Sequence, residues 1–362
     1  SIWLGNDPSG TTDTASYNVA LGTTALDAIT TGDNISAIGY GALGANTTGY
    51  YNTAVGASAL DANTTASSNT SVGFNALTTN TTGAANTAIG AFAGEDHTTG
   101  GNNCYVGYFA GANATTPSDT TAVGPQAMHT GITTGDGNTA IGYTALDDVT
   151  SGTYNTAVGA MAGINLTTGS GNVVIGKTAL YTSTDIDHCV AIGFEAMQNG
   201  DATSGADETV AIGWRALNDL TSGADNTAVG SQALVNLTTG HSNVAIGWGA
   251  MISATTAQLA VGIGYKALYS NTTSQCNTAV GYTSQRLTTT GTMNTSTGFD
   301  ALGANTTGNR STSFGAQSGS VNTTGDNNIF IGYDAGVSGS PGGAITTADN
   351  EICLGDENIS AA

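Results

Sequence analysis

Asn52-Thr53-Ala54-Val55-Gly56-Ala57-Ser58-Ala59-Leu60-Asp61-Ala62-Asn63-Thr64-Thr65 is one pass of a unit that recurs along the whole chain. A second good copy runs Asn86-Thr87-Ala88-Ile89-Gly90, with Ala93 three residues on. Outward from Gly56 the same glycine returns at Gly73, Gly90, Gly107 and Gly124, and in the other direction at Gly39, Gly22 and Gly5. From Gly5 to Gly355 there are 20 intervals, of which 17 are 17 residues long and the others 18, 20 and 23. A fixed short stride means that each unit stacks on its neighbours, as in a solenoid, and not on a shared globular core.

Aligned on the glycine, the unit reads N-T-A-[VI]-G-x-x-A-[LMG]-x-x-N-T-T-G-x-x. The β-branched residue before the glycine (Ile38, Val55, Val72, Ile89, Val106) reads as the inward side chain of a short strand. Ala59 and Ala93, with the Leu or Met that usually follows, predict a second inward corner. Thr-Thr-Gly, as at Thr47 to Gly49 and Thr167 to Gly169, supplies turn hydroxyls and a glycine free to take positive φ. Strand, corner and turn close one coil, so the expected fold is all-β: a parallel β-solenoid or β-roll of about 21 coils in one continuous array. Helical repeats need roughly 33 residues or more per unit and are excluded. At about 4.8 Å per coil the array would extend roughly 95 Å. The longer intervals are expected to bulge as surface loops at 129–137, 198–208 and 337–350. With one Val or Ile, two Ala and one Leu or Met facing inward, each coil has a lean core. The Ala and Gly positions are therefore expected to pack against sister chains in a homotrimer.

Composition narrows the function. The 362 residues carry 26 acidic side chains against Lys177, Arg215, Lys266, Arg286 and Arg310, a formal charge of −21, which disfavours nucleic acid as a partner. No run approaches the roughly 18 apolar residues of a membrane helix, and the start lacks the regions of a signal peptide. Leu4-Gly5 already fits the unit, so the chain is expected to begin inside a longer polypeptide. Cys104, Cys189, Cys276 and Cys353 lie four or five coils apart, roughly 20 Å along a stack, too far for intrachain disulfides, and read as small buried hydrophobes.

Chemistry is sparse. Gly262-Ile263-Gly264-Tyr265-Lys266-Ala267 fits a dinucleotide-binding G-x-G-x-x-A pattern but lacks the helix such a loop needs. His97, His129, His188 and His241 fall on distant coils and read as isolated surface residues. Neither G-x-S-x-G nor H-E-x-x-H occurs, so no enzyme and no cofactor are expected. Acidic residues recur at one offset in Asp27, Asp61 and Asp147, and at another in Asp33, Asp136 and Asp326. Such ranks read as solvated turn residues, with Ca²⁺ bridging by their oxygens as the sharper alternative. Directly after the glycine stand Tyr40, Phe74, Tyr108, Tyr143, Phe194, Trp214, Trp248, Tyr265, Tyr282, Phe299 and Tyr333. These share strand parity with the aliphatic rank, and the favoured reading packs them into the core. Exposed, they would form a column for cell-surface sugars, with Trp214, Trp248, Tyr265 and Tyr282 as contacts. Ice binding by the threonine ranks is a minor alternative, since Cys104, Val173, Val210 and Ile329 interrupt them.

The run from Asn52 to Thr65, repeated at Asn226 to Gly240, resembles the repeat shafts of bacteriophage tail fibres and the YadA-like heads of trimeric autotransporter adhesins. The adhesin unit is usually shorter, and Thr-Thr-Gly turns at this stride are more similar to the virion fibres. The resemblance implies an extracellular, non-enzymatic homotrimeric shaft. On a virion or a bacterial surface it would hold contacts for host polysaccharides or receptors, many weak contacts acting together.

Overall fold

The computed structural model describes residues 2–5, 14–200, 202–340 and 343–356. The chain divides into two compact units, Ser1–Asp185 and Ile186–Ala362. In the first, strands β1 (Ile2–Gly5) to β11 (Val173–Ile175) follow one another, each parallel to the next. Register follows the stride: Thr53 pairs with Thr70, Ala54 with Ser71 and Val55 with Val72. The second unit repeats the scheme from β12 (Val190–Ile192) to β21 (Ile352–Leu354). Both are stretches of all-β parallel solenoid with a 17-residue repeat, and no α-helix occurs among the described residues.

The strands face the opposite way from the sequence expectation. In Thr-Ala-Val it is the alanine that points inward: Ala54, Ala88 and Ala140 are fully buried, whereas Ile38 is 39% and Ile89 43% exposed. Val55 is only half-buried. The interior is narrow, so the strand turns its methyl group inward and its branched side chains outward. Where a ring does enter the strand, the corner gives way. Tyr105 occupies the alanine position and is fully buried, and the leucine position is glycine on its own and the preceding coil. A Cβ at Gly94 or Gly111 would lie 2.7 or 2.4 Å from that ring. Phe330 is accommodated in the same way by Gly319 and Gly336. Interior volume per coil is thus conserved while its distribution changes.

Gly56 has φ of +141°, and a Cβ there would come within 2.2 Å of the carbonyl oxygen of Gly73 on the next coil. Both the left-handed backbone and the stacking distance require glycine. Beyond it the corner alternates in handedness, with Ser58 at φ 55° and Leu60 at φ 52°. Successive amides thereby point in opposite directions along the stack. Ser58 N–H donates to the Tyr40 carbonyl on the preceding coil at 2.8 Å, and Leu60 N–H to Ala76 on the following coil at 3.0 Å. Ala59, Ala93 and Leu60 fill the corner as expected.

The Thr-Thr-Gly glycine does not take positive φ. The left-handed turn residue comes two positions later, as at Tyr51 (φ 56°) after Gly49. Gly49 is instead confined sterically, because a Cβ would meet the Ala66 carbonyl oxygen at 2.2 Å.

In coils such as those of Val55 and Val72, two asparagines complete the interior. Asn52, Asn69 and Asn86 are fully buried, as are Asn46, Asn63 and Asn80. Asn69 Nδ2 donates to the Gly83 carbonyl at 2.9 Å, and its Oδ1 accepts the Asn86 N–H at 2.9 Å. Threonine hydroxyls form a parallel ladder, Thr47 Oγ1 donating to the Thr64 carbonyl at 3.0 Å and Thr81 to Thr98 at 3.2 Å. These ladders join neighbouring coils at the turn, where the aliphatic core is thinnest.

The insertions behave individually. In 129–137 the stride grows by one residue, with Ile132 65% exposed and Thr133 still pairing with Ala114. In 198–208 the extra residues form a short 3₁₀ turn, Ser204–Ala206, that buries Ala202 and Ala206. Asp201 lies outside the described residues, as do residues 341 and 342. From 337–350, Ile345 returns to pack on Leu302, Phe330, Ala335 and Cys353.

Candidate functional site

Because the alanines take the interior, each strand presents its other two side chains to the outside. Thr53 and Val55 lead this face, and the residue after the glycine has the same parity. The aromatics therefore lie outside, which corrects the favoured core-packing reading. Tyr40, Phe74, Tyr108, Tyr143, Phe194, Trp214, Trp248, Tyr265, Tyr282, Phe299 and Tyr333 are all exposed. Parity was read correctly and the choice of inward face was not.

In the second unit four consecutive coils carry rings. Trp248 and Tyr265 stack with centroids 5.2 Å apart and planes 17° from parallel. Tyr265 and Tyr282 follow at 4.8 Å and 15°, then Tyr282 and Phe299 at 5.6 Å and 13°. Lys266 Nζ lies 5.3 Å from the Trp248 ring and 5.4 Å from that of Tyr265. The faces of Tyr265 and Tyr282 are thus turned to other rings, leaving their edges outward. Trp214 stands apart, with the Arg215 guanidinium 6.0 Å from its centroid. Arg215 Nε in turn lies 3.4 Å from Glu195 Oε2.

In the first unit rings occur on alternate coils, Tyr40, Phe74, Tyr108 and Tyr143, separated by Ala57, Ala91 and Pro125. The space beside Ala91 is filled by Phe92, which meets Phe74 edge-on at 5.2 Å and stacks on Phe109 at 4.6 Å.

The acidic rank of Asp33, Asp136 and Asp326 serves as a row of backbone acceptors. Asp33 accepts the Ser16 N–H, Asp136 that of Ser118 and Asp326 that of Asn309, each from the coil before. Asp326 also lies 3.8 Å from Arg310. Ser67 Oγ does the same for the Tyr50 N–H, so the rank changes residue type freely: any side-chain acceptor suffices. At the other offset Asp27 is exposed, while Asp147 accepts the hydroxyl of Thr130 at 2.7 Å. Burial raises the Asp61 carboxyl above its ordinary value, and Asp148 is raised by burial first and then by the Asp147 charge. No group of three or more His, Cys, Asp or Glu side chains that could hold a metal occurs among the described residues.

His97 is fully buried, contrary to the surface reading. It occupies the position of Asn80 one coil on, with Nε2 2.8 Å from the Gly100 carbonyl oxygen and Nδ1 3.1 Å from that of Ala114. A neutral imidazole can donate to only one of these. Burial lowers its pKa, partly opposed by those two carbonyls. None of the four cysteines is in a disulfide; Cys189 and Cys353 are buried, Cys104 is intermediate and Cys276 exposed at a left-handed turn. Burial pushes the Cys189 thiol up to about 12, so it is no nucleophile at neutral pH. Gly262 to Ala267 forms an ordinary coil whose strand Val261–Ile263 leads into a turn.

The ladders of Asn69 and Thr81 went unread in the sequence, although the constancy of Asn before the strand and Thr after the corner was visible there. No protein-family model matches the chain, and no curated protein matches it.

Proposed function

We propose that this chain is a non-enzymatic structural and adhesive shaft of an extracellular fibre, of the kind carried by virions, that meets a host cell surface through its outward strand face. The observation that carries this reading is the repetition on that face of hydroxyl, branched aliphatic and exposed ring. A weak contact made once per coil or per second coil is multiplied by the number of coils. The acidic surface favours solubility and disfavours binding to polyanions. A homotrimer, presenting each contact threefold, belongs to the same proposal. Its contacts cannot be the strand alanines, which are buried within their own coil, so sister chains would meet through outward residues.

Antibodies raised against the purified chain should decorate appendages of phage particles, and the purified chain should sediment with bacterial cells at micromolar concentration. Labelling of the bacterial surface itself would assign the chain to a cellular adhesin or filament. Absence of both labelling and cell binding would overturn the adhesive reading, and native mass spectrometry giving a lone subunit would remove the trimer.

A further inference from the structure

The ring column of the second unit has one rung that carries no ring. Trp214, Ser231 and Trp248 occupy equivalent positions on three successive coils, held in register by the strand pairs Ile212 with Val229 and Val229 with Ile246. The register continues past the glycine, since Gln232 N–H donates to the Trp214 carbonyl at 2.8 Å and Gly249 N–H to that of Ser231 at 3.0 Å. Where successive coils both carry rings, from Trp248 to Phe299, the rings stack at 4.8 to 5.6 Å. At Ser231 no ring is present, so the two indoles stand two coil steps apart, roughly 10 Å. Trp248 turns one face to Tyr265, and its other face looks over Ser231. Trp214 makes no ring contact among the described residues besides the Arg215 guanidinium. The two are 45% and 40% exposed.

We propose that this gap binds one pyranose ring of a saccharide, clamped between Trp214 and Trp248 above Ser231. Two coil steps leave room for a single ring between two aromatic planes. The axial C–H faces of a pyranose are apolar, while its rim carries hydroxyls, and the gap matches both demands. Trp248 offers an indole face along the stack, Trp214 stands two coils away in register, and Ser231 and Gln232 on the coil between them carry the polar groups. Arg215 and Lys266, two of only five Lys and Arg residues in the chain, adjoin the two indoles. They favour a saccharide bearing hydroxyl or carboxylate acceptors over an apolar partner. Tyr265 and Tyr282, with their faces already stacked, are not part of the clamp.

The proposal rests on the adhesive reading in taking an extracellular saccharide as the ligand. Its test is titration of the purified chain with cellohexaose, chitohexaose and a β-1,4-linked galacto-oligosaccharide, followed by calorimetry and by tryptophan fluorescence. At least one should bind and change the emission. W248A should weaken it tenfold or more, and Y282A should leave it within about twofold. S231F places a ring on the rung that carries none, continuing a column the fold already tolerates. It should keep the thermal midpoint and the native mass and lose saccharide binding by tenfold or more. Failure of the unaltered chain to bind any of the three overturns the clamp. Undiminished saccharide affinity in S231F overturns it too, and if cell binding persists in that variant the adhesive reading survives. A change of native mass in S231F would show that the gap contacts a second copy of the chain, and would likewise overturn the proposal.

Discussion

Single residues in this fold are judged against a cavity only a few atoms wide. Tyr105 is fully buried and its hydroxyl has no hydrogen-bond partner. Phe330 fills the same position on another coil without that hydroxyl. Y105F should therefore raise stability by about 1 kcal/mol, by sparing a buried polar group its lost hydration, and thermal or denaturant unfolding would register it. His97 gives a pH signature. Its folded pKa lies below the ordinary 6.5, so the unfolded chain takes up a proton first as the pH falls. Its contribution is complete above that ordinary value, declines as the pH drops toward the depressed folded value, and is flat below it. H97N restores the amide found at Asn80, which donates to the Gly83 carbonyl at 3.0 Å. The variant should lose this component of the acid dependence, as unfolding midpoints measured between neutral and mildly acidic pH would show.

At the scale of the element, a coil is held by its ladders as much as by its aliphatic core. Asn69 Oδ1 accepts the buried Asn86 N–H, whereas the Gly83 carbonyl it contacts is also served by Asn80. N69A thus orphans one buried donor and should cost about 2 kcal/mol. N69S should cost less. Ser311 fills the equivalent position natively, its Oγ accepting the Asn328 N–H at 3.3 Å. Denaturation of the two variants side by side checks both the size and the order. The acidic turn rank follows the same logic: Asp, Asn and Ser exchange there because each offers an oxygen to the preceding coil's amide.

At the scale of the whole molecule, contacts within each unit join coil to coil, so damage should spread by adjacency. Gly73 has φ of +145°, and a Cβ would approach the Gly90 carbonyl oxygen to 2.3 Å. G73A should break the stack at that step, and hydrogen exchange should show the amides of nearby coils in the first unit losing protection first. Strand amides in the second unit, such as those of Val244–Ile246, should retain theirs. Simultaneous loss in both units would show cooperativity on a larger scale than neighbouring coils.

The 17-residue period alone determined a parallel solenoid, its register and the positions of its irregularities, because a constant stride admits only one way of stacking like on like. Strand parity was legible too, correctly placing Val55 and the residue after Gly56 on the same side. Which side was inward depended on the width of the cavity, which the fully buried Leu60, Asn63 and Asn69 also share. No linear pattern expresses that distance. Hydrophobicity favoured the branched residues for the interior, but space admitted only the alanine. The same closure turned the rings outward, buried His97 and set Trp214 and Trp248 on either side of a rung that carries no ring.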